Sequence, residues 1–97
     1  MKNFKDIEFK PDIIGGVRGK LEIENGIMIS VVAGKFNYCT PRENSPIDGW
    51  SSFEVAVLDS YGSFITKRIV DDAGGDVLGW QSREDINNLI KQIYNYE

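Results

Sequence analysis

Asp71, Asp72 and Asp76 lie close together around Ala73-Gly74-Gly75, with Trp80 just beyond. Oxygen-rich side chains so spaced suit a hard cation such as Mg²⁺ or Ca²⁺, and the glycines would let the backbone fold around an ion. The spacing departs from the D-x-D-x-D-G order of a calcium loop, and no glutamate stands at its closing position. Neighbouring carboxylates can also divide acid and base roles in a hydrolase, because like charges in proximity raise one pKa. Aspartates in a glycine-rich turn equally make local backbone hydrogen bonds, so the metal-binding role of this link stays open. The sequence implies no cofactor.

Other chemistries are narrowed by what the chain contains. It has no histidine, which removes Ser-His-Asp and Cys-His catalysis and every histidine-bearing metal site. Cys39 is the single cysteine, so neither an intrachain disulfide nor a multi-cysteine zinc site can form, and only Lys35 and Arg42 are nearby to activate a thiolate. Gly15-Gly16-Val17-Arg18-Gly19-Lys20 lacks the spacing of a phosphate-cradling loop and leads into a strand. Lys35, Phe36, Tyr38, Arg42 and Trp50 interleave bases and aromatics as single-strand binders do, but Glu43 and Asp48 interrupt them. These aromatics are expected to anchor a long loop to the core. Trp80, just before a helix cap, is expected to staple the first helical turn, and with Asp71, Asp72 and Asp76 it is also a candidate binding residue.

Ninety-seven residues are enough for one domain, residues 1–97, with a modest core and no need of metals or disulfides. The formal net charge of −4 opposes nonspecific attraction to phosphate backbones, so direct nucleic-acid binding is disfavoured. No apolar run approaches the roughly 18 residues of a membrane helix, and the cysteine usage suits a reducing cytoplasm.

The periodicities supply the scaffold. Arg18 to Glu24 and Ile27 to Ala33 form a hairpin about Asn25-Gly26, in which a three-residue loop with a glycine bulge pairs Ile23 with Ile27, Leu21 with Ile29 and Gly19 with Val31. That register gathers the aliphatic residues on one face. Ser52 to Leu58 and Ser63 to Val70 are expected to form a second hairpin through Asp59-Ser60-Tyr61-Gly62, with Val57 facing Ile65, Leu58 facing Phe64, Phe53 facing Ile69 and Glu54 facing Arg68. Gly34 to Gly49 reads as a long connection, and Phe4 to Lys10 as an edge strand before Pro11. Ser82 and Asp85 form a capping box for a helix from Arg83 to about Asn95, whose stripe is Ile86, Leu89, Ile90, Ile93 and Tyr94. The fold expected is α+β: a mainly antiparallel sheet of four to five strands packed on one C-terminal helix.

Asn25-Gly26 with Ile29-Ser30-Val31-Val32, then Phe53 to Asp59, then Asp71-Asp72 with Asp76 to Trp80 before Glu84, together resemble a group of small proteins encoded by tailed bacteriophages. The resemblance covers residues 20–95 and departs at Ala73-Gly74-Gly75 and in the length of the 34–49 segment. It implies an accessory protein of the bacterial host cytoplasm and carries no activity with it. If Met28, Val32, Leu58 and Phe64 share the outer sheet face, they make a patch for a host or phage protein or for a homodimer. A non-enzymatic binding protein is therefore the first expectation. An acidic nucleic-acid mimic and a small metal-dependent enzyme built on the Asp-rich link are the alternatives.

Overall fold

The computed structural model describes residues 1–96. Five strands form one antiparallel sheet in sequence order: β1 (Lys10–Pro11), β2 (Val17–Glu24), β3 (Ile27–Ala33), β4 (Phe53–Leu58) and β5 (Leu78–Gln81). One helical turn, α1 (Thr66–Ile69), follows β4, and the C-terminal helix α2 (Arg83–Tyr94) follows β5. The expected α+β arrangement is what the chain adopts.

The β2–β3 hairpin keeps the register of Leu21 with Ile29 and Gly19 with Val31, but its turn differs from the expected three-residue loop. Asn25 and Gly26 both take positive φ, at 55° and 79°, and Glu24 pairs with Ile27. A bulge between Glu22 and Glu24 then absorbs Ile23 and returns the aliphatic residues to one face. Asparagine tolerates the left-handed region better than other side chains, so a two-residue turn closes the strands at little strain.

The second hairpin stops early. Asp59 N–H reaches the Ser63 carbonyl, Leu58 bridges Phe64, and Ile65 N–H donates to Val57 O at 2.8 Å. Beyond that point residues 66–69 coil into α1 instead of continuing a strand, so the pairs Phe53–Ile69 and Glu54–Arg68 do not form. The buried Thr66 hydroxyl accepts from Val57 N–H at 3.0 Å and donates to the Asp76 carbonyl at 2.7 Å, ending the ladder. The vacated edge of β4 is taken by β5, with Val55 opposite Leu78 and Phe53 opposite Gln81.

The N-terminal segment is likewise not a full strand. Phe4–Asp6 form a 3-10 turn and only Lys10 and Pro11 pair with β2. Ile7 and Phe9 cross the inner face at Gly19, where a Cβ would lie 2.5 Å from Ile7 Cγ2, so only glycine admits them.

The inner sheet face and α2 enclose one core containing Ile29, Val31, Phe53, Val55 and Val57 with Ile86, Leu89, Ile90 and Ile93. The Ser82–Asp85 capping box is present, and α2 ends at Tyr94, one residue short of the expected Asn95, which serves as its C-cap. Arg83 donates to the carbonyls of Trp50 at 2.7 Å and Ile47 at 3.1 Å, with its guanidinium over Phe4 and Phe53. It thereby pins the long connection to the start of α2. Among the described residues no helix is long and apolar enough to cross a membrane.

Candidate functional surface

In an antiparallel sheet, residues directly opposite on neighbouring strands share a face. The outer face can therefore be assembled from three rows that cross the strands. Lys10, Arg18, Val32 and Glu54 form the first, Lys20, Ser30 and Ala56 the second, and Glu22, Met28, Leu58 and Phe64 the third. Met28, Val32, Leu58 and Phe64 do lie on one face, as the sequence suggested they could. Leu58 is buried between its neighbours, Met28 and Val32 are half-buried, and Phe64 is 54% exposed.

Two residues from outside the expected patch extend the first row. The ring centroids of Tyr38 and Trp80 are 5.3 Å apart, and the Tyr38 N–H donates to Glu54 Oε1 at 3.1 Å. Trp80 N–H donates back to the Tyr38 carbonyl at 2.9 Å, which locks the long connection onto β5. Gly79 permits this approach, since a Cβ there would lie 2.9 Å from that of Tyr38. Trp80 itself has φ of 53°, a strained conformation for a bulky residue. Tyr38 is 47% and Trp80 55% exposed. The Tyr38 anchor and the Trp80 staple expected from sequence are thus both replaced by a surface aromatic pair. Phe36 is also exposed, and of the expected loop aromatics only Trp50 enters the core.

No motif marks Tyr38 as part of this surface, because its partner lies 42 residues away and reaches it only through the fold. The usable signal was Gly79 directly before Trp80, a pairing that marks a close backbone approach.

The Asp-rich link does not converge. Asp71, Asp72 and Asp76 are all exposed; Asp72 borders a shallow groove with Leu78, Asp85 and Gln92, while Asp76 contributes its backbone carbonyl to Thr66. Among the described residues no group of three or more Cys, Asp or Glu side chains is placed to hold a metal ion. Cys39 is buried, its thiol donating to Pro41 O at 3.2 Å and its sulfur accepting from Gly34 N–H at 3.3 Å, so it packs as a small polar plug. Lys10, Arg18 and Lys20, with Glu8, line a groove along the β1–β2 edge of the outer face.

Compared with protein-family models, curated proteins and solved structures, the chain gives no match.

Proposed function

We propose that this chain is a non-enzymatic binding module that docks a folded protein on the outer face of its sheet. The observation that carries the reading is the make-up of that face: the Met28–Leu58–Phe64 row and the Val32–Glu54 row, which Tyr38 and Trp80 extend, flank the small Ser30–Ala56 row, and Phe64 and Trp80 are each more than half exposed. Exposed aromatic and methionine side chains of this kind are the residue types enriched at protein interfaces. The resemblance to tailed-phage proteins extends the proposal to a phage accessory protein that engages a host or phage protein in the bacterial cytoplasm.

A nucleic-acid mimic would need carboxylates ranged along one surface, whereas the outer face mixes Lys10, Arg18 and Lys20 with Glu22 and Glu54. An enzyme at the Asp-rich link would need its carboxylates brought together, and among the described residues no group of three or more acidic side chains is placed to hold a metal ion.

The test is affinity capture from bacterial lysate with the unaltered chain, with V32D and F64S, and with D71N/D72N/D76N. Partners retained by the unaltered chain and the Asp-link variant, and lost from the two outer-face variants, would support the reading. Retention by V32D and F64S with loss from the Asp-link variant would overturn it.

A further inference from the structure

Resting on that reading of the outer face, we infer that its occupant is a second copy of this chain, docked face to face about a two-fold axis along β3. An axis of this kind places each residue lying on it against itself, so charged residues cannot sit there without meeting their own like charge. On this face β2 carries Arg18, Lys20 and Glu22 and β4 carries Glu54, whereas β3 presents Met28, Ser30 and Val32, all uncharged. Only β3 satisfies the condition among the three central strands.

The same axis exchanges β2 with β4 within each row. Arg18 of one copy then stands across from Glu54 of the other, and the symmetry repeats the pair, giving two opposite-charge contacts per dimer. Met28 and Val32 meet their own copies as an apolar seam. Lys20 lies over Ala56, along which its methylene stem can pack, and Lys10 lies toward the Tyr38–Trp80 pair, a cation facing aromatic rings. Stacked sheets usually rotate by about 30° relative to one another, and the long side chains of arginine and glutamate span the few ångströms this displaces them. Glu54 keeps one carboxylate oxygen for the partner's Arg18, since the Tyr38 N–H engages Oε1. In the third row the rotation sets Glu22 over Leu58 with no opposite charge, so the self-complementarity rests on the Arg18–Glu54 pair and the uncharged β3 seam, a combination that an unrelated partner would not require.

Sedimentation of the unaltered chain, of R18E, of E54R and of an equimolar mixture of the two variants tests this. In R18E each contact sets Glu against Glu, and in E54R it sets Arg against Arg, so both should lose dimer. Mixing them places Glu opposite Arg at both contacts, and the mixture should recover a heterodimer at least tenfold tighter than either variant alone. Circular dichroism establishes that both variants are folded, and the lysine substitution R18K, which keeps the charge, should keep the dimer. A dimer unaffected by R18E and E54R, or a mixture that stays monomeric, overturns the proposed axis. A monomer at all concentrations that nevertheless captures another protein through Val32 and Phe64 overturns the second copy and leaves the docking face standing; a monomer that captures none overturns both.

Discussion

Thr66 supplies with one hydroxyl the bonds that a continued strand would have given to Val57, and it also ties down the Asp76 carbonyl. Its replacement by valine keeps the shape but strands a buried N–H and a carbonyl, which should cost about 1–3 kcal/mol in urea unfolding. T66S retains the hydroxyl and should lose distinctly less; equal losses would mean that the methyl group, and not the hydrogen bonds, matters. Arg83 is a second single-residue fastener. R83K keeps the charge but loses the planar fork that reaches both Trp50 O and Ile47 O and sits over Phe4 and Phe53. We expect R83K to destabilise the chain by about 1–3 kcal/mol by the same measurement. Neither role shows in the sequence, because each depends on atoms brought together by the fold and not on spacing along the chain.

At the scale of elements, legibility followed the length of the pattern. Helix α2 is legible because about three turns of apolar periodicity agree with a capping box, and the β2–β3 pairing because two strands alternate about Asn25-Gly26. The turn itself differs from the expected one: with positive φ at Asn25 as well as Gly26, the bulge lies at Ile23 and not in the loop. N25V should therefore cost about 1–2 kcal/mol, since a β-branched residue resists the left-handed region, whereas N25G should be nearly neutral. S82A, which removes the hydroxyl that accepts from Asp85 N–H at 3.0 Å, should cost about 1 kcal/mol. The second hairpin misled because Phe64 to Val70 fits a strand over its first residues, and only the competition for the edge of β4 decides between it and β5. Leu78 to Gln81 is too short, and too rich in exceptions with Gly79 and a positive-φ Trp80, to read as a strand in advance.

For the whole molecule, one sheet face is spent on the helix and the other is not. The α+β architecture follows from the chain's own alternation, and the correct faces of Met28, Val32, Leu58 and Phe64 followed once the hairpin register was set. The Tyr38–Trp80 extension did not, because it rests on a loop crossing over β5. Substitutions on the outer face should separate association from stability: F64S removes a side chain more than half exposed, so it should leave the unfolding midpoint nearly unchanged while weakening association. A large loss of stability in F64S would return that residue to a structural role.

The most direct measurement is hydroxyl-radical footprinting of the chain when dilute, when concentrated and in bacterial lysate. Tyr61 and Ile13, 93% and 98% exposed and outside the rows of the outer face, serve as internal references. Met28, Phe64, Tyr38 and Trp80 should become protected relative to them as the chain is concentrated or meets its partner. Unchanged labelling of those four residues, with protection appearing instead along Asp71 to Asp76, would contradict docking on the outer face.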